Sequence, residues 1–114
     1  MTTEHTALPP PLLLYQLGVG HYVSRALHVA AKLKISDLLK DGPRDADELA
    51  KATETNAAAL TRVLRLLASV GVFAEREDGR FTLTPAAELL RSDIPGSMRA
   101  AVLLYALFFG LQPF

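Results

Sequence analysis

A chain of 114 residues, half of them hydrophobic, can bury the core of one domain and hardly two. Its twelve Lys and Arg balance twelve Asp and Glu, which excludes an overall field drawing it toward phosphate backbones or acidic lipid. The lack of cysteine excludes disulfide frameworks, thiolate nucleophiles and cysteine zinc sites.

The polar, acidic start MTTEHTALPPP carries no secretory pattern, and the most apolar run, AAVLLYALFFGL at 100–111, is shorter than the roughly 20 residues of a membrane-spanning helix. A cytoplasmic chain without a membrane partner is expected. Residues 1–11, ending in Pro9, Pro10 and Pro11, read as a disordered head. Residues 12–42 read as N-terminal helices: Leu14, Leu17, Val23, Leu27, Ala30 and Ala31 recur at helical spacing as far as Leu33. Gly18 and Gly20 each weaken that helix by about 1 kcal/mol relative to Ala, which predicts a bend or a close packing contact near His21. Ser36 is expected to cap a short helix over 37–40, which the turn Asp41-Gly42-Pro43 stops.

Residues 43–91 read as a winged-helix-like core. Asp45 and Glu48 stand at capping-box spacing and predict a helix over 46–53. A longer helix begins after Thr55, places Leu60, Val63, Leu64, Leu67 and Ala68 on one face, and ends at Gly71 in the left-handed conformation. Two strands, 72–76 and 80–83, flank Glu77-Asp78-Gly79, a hairpin signal. Thr84-Pro85 supplies a cap and an N1 proline for a helix over 86–91. In residues 92–114 a last helix runs from near Ser97 to about Phe109. The order helix, helix, helix, hairpin predicts a mainly α fold: one winged-helix-like domain over 1–114, with a two-stranded wing, flanked by N- and C-terminal helices.

The third helix of such a fold reads DNA in many proteins, and here its polar face carries Asn56, Thr61, Arg62, Arg65 and Ser69. Two arginines at i and i+3 can contact phosphates. Yet residues 43–91 hold seven basic and eight acidic residues, and Glu75, Glu77 and Asp78 put acid on the wing itself. A DNA reader needs a basic footprint. The arginines are therefore read as solvated or paired with acids, and no nucleic-acid partner is expected.

Chemistry-bearing motifs are missing from the rest of the chain. Gly18-Val19-Gly20 follows no strand and lacks a third glycine, so it is no nucleotide loop. His21 and His28 stand two helical turns apart, about 10 Å along the axis, and cannot share a metal ion on one straight helix. No Asp, Glu and His set points to a hydrolytic centre. No catalytic, cofactor-binding or metal-ligating residue is assigned.

Several phrases occur in fixed order: ALHVAAKL, DGP ahead of ADELA, RVLRLLASVGVF, and FTLTPAAELLRSD followed by GSMRA. On these, residues 15–104 resemble the N-terminal dimerisation domain of class I S-adenosylmethionine-dependent small-molecule O-methyltransferases, the bacterial natural-product branch related to the plant enzymes. The resemblance implies a module of secondary metabolism that no longer reads DNA and intertwines as a homodimer through its N- and C-terminal helices. It also implies that the first helices help close the partner's pocket for an aromatic or polyketide-like acceptor. The matching segments make Tyr15, His21, Tyr22, Met98 and Tyr105 candidate pocket-wall residues.

The resemblance assigns S-adenosylmethionine to a catalytic domain whose glycine-rich loop, ribose-binding acid and histidine base do not occur in these 114 residues. The chain is thus expected not to methylate alone, and 92–114, ending in FFGLQPF, reads as an interface helix and a truncated linker to that domain. The apolar runs LLLY and VLLYALFF fit an interface, because patches of that extent are seldom left in water. Lys34 stands where the resemblance places glycine; a left-handed backbone there strains lysine by about 1 kcal/mol. Two alternatives stay open at this level: a winged-helix transcription regulator using Arg62 and Arg65, and a stand-alone accessory or small-molecule-binding subunit.

Overall fold

The computed structural model describes residues 9–105. Most of the expected head, and the end of the last helix beyond Tyr105, lie outside the described residues. Pro9 is extended and leads into α1 (Pro10–Lys32), so Pro10 and Pro11 belong to a helix rather than to the head. Proline suits those first positions, where an N–H has no intrahelical acceptor. The helix runs unbroken through Gly18 and Gly20, and a Cβ at either would meet nothing within 4 Å, so the expected close contact is not made among the described residues.

Lys34 follows at φ 59° and ψ 41°, the left-handed conformation that the sequence comparison with glycine anticipated. Its amide still donates to the Ala31 carbonyl, 3.2 Å away. The turn starts α2 (Ile35–Leu39) early enough to seat Ile35 in the core. Ser36 consequently does not cap α2. It lies buried inside the first turn and donates its hydroxyl to the Ala87 carbonyl at 2.8 Å.

The winged core follows in the expected order. β1 (Arg44–Asp45) precedes α3 (Ala46–Thr53), whose capping box is closed: the Glu48 amide donates to Asp45 Oδ1 at 2.8 Å and the Asp45 amide to Glu48 Oε1 at 3.0 Å. Asn56 caps α4 (Ala57–Ser69) by accepting from the Ala59 amide at 2.9 Å, which removes it from the polar face assigned to it from sequence. At the other end Gly71 takes φ 93°. Its amide donates to Ala68 and that of Val72 to Leu67, at 3.1 and 2.9 Å, the paired bonds of a Schellman stop.

β2 (Ala74–Glu75) and β3 (Arg80–Thr82) form the hairpin, with Glu75 opposite Phe81. The strands are shorter than expected because Phe73, at φ 75°, turns the chain immediately before β2. β1 adds to the free edge of β3, Arg44 opposite Phe81, giving a three-stranded antiparallel sheet in the order β1-β3-β2. A two-residue strand is too short to show alternation, so this third strand left no periodic signal.

Thr84 joins hairpin to helix. Its hydroxyl donates to the Gly71 carbonyl at 2.8 Å and accepts from the Phe73 and Ala87 amides, each at 3.2 Å, so its donor and both lone pairs are used. α5 (Pro85–Glu88) is shorter than expected, because the amides of Leu89, Leu90 and Arg91 bond carbonyls three residues back and tighten the chain into turns. α6 (Arg99–Tyr105) ends the described chain.

Ile35, Leu49, Leu64, Leu67, Phe73 and Phe81 close the main core, each at most 1% exposed. The C-terminal half of α1 contributes Ala26 and Ala30 to it. A second, smaller cluster, Ala31, Leu90 and Val102, attaches α6 to the other side of α1.

Candidate association and pocket-wall surfaces

The two halves of α1 differ in what covers them. Ala26, Ala30 and Ala31 are buried, whereas Leu14 and Leu17 are 69% and 68% exposed and Leu12, Leu13, Tyr15 and Tyr22 also face solvent. Scattered exposed leucines are ordinary; a run of them on one helix is not. Among the described residues one flank of this half, Leu12, Tyr15 and Val19, borders the end of α4, while Leu13, Leu14 and Leu17 remain exposed.

Among the described residues, grooves border α1 and the elements beside it, three of which hold the candidate residues or Arg62 of α4. The largest, about 450 Å³, lies between α1 and the end of α4, with Tyr15, Val19 and Val23 facing Leu66 and Val70. The next, about 240 Å³, is lined by Tyr22, Arg25, Val29, Arg62 and Leu66. The third, also about 240 Å³, runs between α5 and α6, with Leu27, Val72, Leu89, Met98, Val102 and Tyr105 on its walls.

The five pocket-wall candidates therefore divide. Tyr15 lines the first groove and Tyr22 the second, and these two grooves share Leu66. His21 stacks on Tyr22 with ring centroids 4.3 Å apart and 28° between planes, and is not part of either groove wall. Met98 and Tyr105 come together in the third groove. No single groove of one chain gathers all five. Sequence reading missed Leu12, Val19, Leu66 and Val70. The 12, 15, 16, 19, 23 spacing of a second stripe on α1 was the available signal.

Electrostatics distinguishes the two arginines of α4. Arg65 grips Glu75 on the wing with two bonds of 3.1 Å, and its guanidinium pKa is raised first by that hydrogen bonding and then by the charge of Glu75. This is the acid-paired one of the two states, solvated or paired, read from the sequence. Arg62 instead lines the second groove. At the end of α5, Arg91 bonds Asp93 twice and Glu88 once, which raises the pKa of its guanidinium. The Asp93 carboxyl is in turn held well below the usual carboxylate range, first by Arg91 and also by Lys40.

Among the described residues no group of three or more His, Asp or Glu is spaced to hold a metal ion, and no helix is long and apolar enough to cross a membrane. What the described residues present is a closed winged core carrying a long helix whose Leu13, Leu14 and Leu17 are exposed.

The family model of the O-methyltransferase dimerisation domain matches residues 15–93, and the chain belongs to that family. This confirms the resemblance drawn from the sequence phrases. Phenazine O-methyltransferase PhzM of Lysobacter antibioticus is 48% identical over 99 residues, covering 87% of this chain and 29% of that protein. The crystal structure of LaPhzM superposes with a TM-score of 0.79 at 47% identity, covering 86% of this chain and 30% of the other. CalO1, a methyltransferase of calicheamicin biosynthesis solved with S-adenosylhomocysteine bound, gives 0.76 at 46% identity, covering 85% and 29%. The chain thus spans less than a third of the length of these relatives.

Proposed function

We propose that this chain is the homodimerisation module of a cytoplasmic S-adenosylmethionine-dependent methyltransferase acting on an aromatic or polyketide-type small molecule. Two copies join through the N-terminal half of α1 and through α6, and each supplies part of the wall of its partner's substrate pocket. The module is not catalytic by itself. The observation that carries this reading is the exposure of Leu13, Leu14 and Leu17 on one side of α1 in a chain of the dimerisation-domain family.

The magnitudes support association. Completing the burial of a half-exposed leucine is worth about 1 kcal/mol, half the low-to-middle range for full burial. Leu12, Leu13, Leu14 and Leu17, doubled in a symmetric pair, offer about 8 kcal/mol, the scale of the roughly 4–15 kcal/mol that association costs. The leucines alone do not suffice, so Tyr15, Tyr22 and the α6 surface belong to the same interface. Tyr15, His21 and Tyr22 lie along α1, and Met98 and Tyr105 at α6, where a second copy brings the two sets to a shared cavity.

A nucleic-acid role has less support, since Arg65 is committed to Glu75 and the wing is acidic. Light scattering on the full chain at micromolar concentration tests the main reading. A dimer that Leu14→Glu with Leu17→Glu converts to a folded monomer is expected; a wild-type monomer at tens of micromolar overturns it. Titration with S-adenosylmethionine should give no heat, and a fluorescent DNA duplex should show no steeply salt-dependent binding.

A further inference from the structure

Residues 88–105 are fastened to the rest of the molecule by polar contacts at two ends. At the first end both carboxylate oxygens of Asp37 are used on Ser92: Oδ1 accepts from the amide at 2.9 Å and Oδ2 from the hydroxyl at 2.8 Å. Further along α2 the Lys40 ammonium reaches Asp93 at 3.2 Å. Asp93 also takes two bonds from the Arg91 guanidinium, at 2.9 and 3.0 Å. At the second end Arg99 Nε donates to the Ala31 carbonyl at 2.6 Å. That carbonyl, which also accepts from the Lys34 amide, belongs to the last turn of α1, where a cation is favoured. Between the two ends the Met98 amide donates to the Leu89 carbonyl at 2.7 Å and folds the segment back on itself.

The apolar attachment is slight by comparison. Within its described residues α6 buries one side chain, Val102, in the small cluster with Ala31 and Leu90, with Leu103 partly buried against it, and it contributes none to the main core. Met98, Val102 and Tyr105 form one wall of the third groove; the other walls, Leu27, Val72 and Leu89, belong to α1, the hairpin approach and the end of α5. Few buried apolar contacts and polar ties near solvent mark a segment whose opening costs less than unfolding the whole.

We propose that residues 92–105 are a latched cover. The segment opens as one piece ahead of the winged core, and the Asp37–Ser92 and Arg99–Ala31 contacts are the latches that hold it over the apolar groove. The latches also set the direction of α6 relative to α1, because one ties the start of the segment to α2 and the other ties the start of α6 to the end of α1. This inference goes beyond self-association and stands on contacts within one chain.

Hydrogen exchange of the full 114-residue chain, read by mass spectrometry in the native state over rising urea, tests it. In the wild type, peptides over 92–105 should exchange at least tenfold faster than those of α4. Asp37→Ala and Arg99→Met should each speed the 92–105 peptides a further tenfold or more and leave α4 unchanged. Arg65→Gln, which removes a paired arginine on the wing, should leave the 92–105 peptides unchanged. Exchange of 92–105 in step with α4 in the wild type overturns the proposal, as do variants that speed all peptides equally or none. All comparisons are repeated on the Leu14→Glu, Leu17→Glu background, in which two copies do not associate, so their outcome is separate from the association reading.

Discussion

Replacing Lys34 by glycine should stabilise the domain. At φ 59° and ψ 41° a residue with a Cβ crowds the following carbonyl, which costs about 1–2 kcal/mol. Lysine is held there because its neighbours leave no alternative: Ala31 and Ile35 on either side are buried, and the Lys34 amide and carbonyl bond Ala31 and Leu38. Glycine removes the crowding but gives the unfolded chain more freedom, a loss of about 0.4–1 kcal/mol. The difference is a net gain of about 0.8 kcal/mol, or about 3–6 °C in Tm for a domain of this size. Because the lysine charge sits near the C-terminus of α1, Lys34→Ala is the reference: it loses the charge and keeps the Cβ. Urea unfolding at one fixed protein concentration should place the glycine variant above the alanine variant by that amount, with an unchanged slope. A glycine variant equal to or below alanine would refute the strain argument.

Leu64→Ala, at a side chain with no exposed surface, should cost about 3–5 kcal/mol, read as a large fall in Tm; a loss under about 1 kcal/mol would mean that the core collapses around the gap. Arg65→Gln should cost less than about 1 kcal/mol despite its two-bond geometry, since the arginine is 63% exposed, and a much larger loss in urea unfolding would contradict that. Asp93→Asn should make stability less dependent on pH. The folded-state Asp93 pKa is depressed, so its contribution is present above the ordinary carboxylate pKa and is lost as pH falls toward the folded-state value. The Tm gap between wild type and this variant should be widest near neutrality and close in acid; a gap constant from pH 7 to pH 2 counts against the assignment.

The helices were legible where a short-range pattern specifies them. Asp45 with Glu48, Gly71, and Thr84 with Pro85 each announce a boundary within a few residues, and the structure uses all of them. Ser36 misled because a hydroxyl at a helix start looks like a cap, whereas its partner, the Ala87 carbonyl, lies 51 residues away. β1 escaped for the same reason, since its existence depends on the free edge of β3. The surfaces were half legible. Leu14 and Leu17 stand out as apolar, but a leucine stripe does not say which leucines the chain itself covers; Leu27 and Leu17 lie on one helix with opposite fates. The Asp37–Ser92 and Arg99–Ala31 ties link residues 55 and 68 positions apart and left no local trace.

The hydroxyl of Thr84 has a further consequence for how this sequence can vary. Valine has nearly the same shape, yet it would leave one carbonyl and two amides without this partner at once, at part-exposed positions where each loss is about 1 kcal/mol. Serine keeps all three bonds. Position 84 therefore favours a hydroxyl, while Glu77 at the exposed tip faces no such restriction of shape. Tips of other lengths or charges can be grafted between Arg76 and Arg80, provided the core residues Phe73 and Phe81 and the Thr84 junction are retained, because it is one oxygen atom that sets where the wing leaves and where the next helix begins.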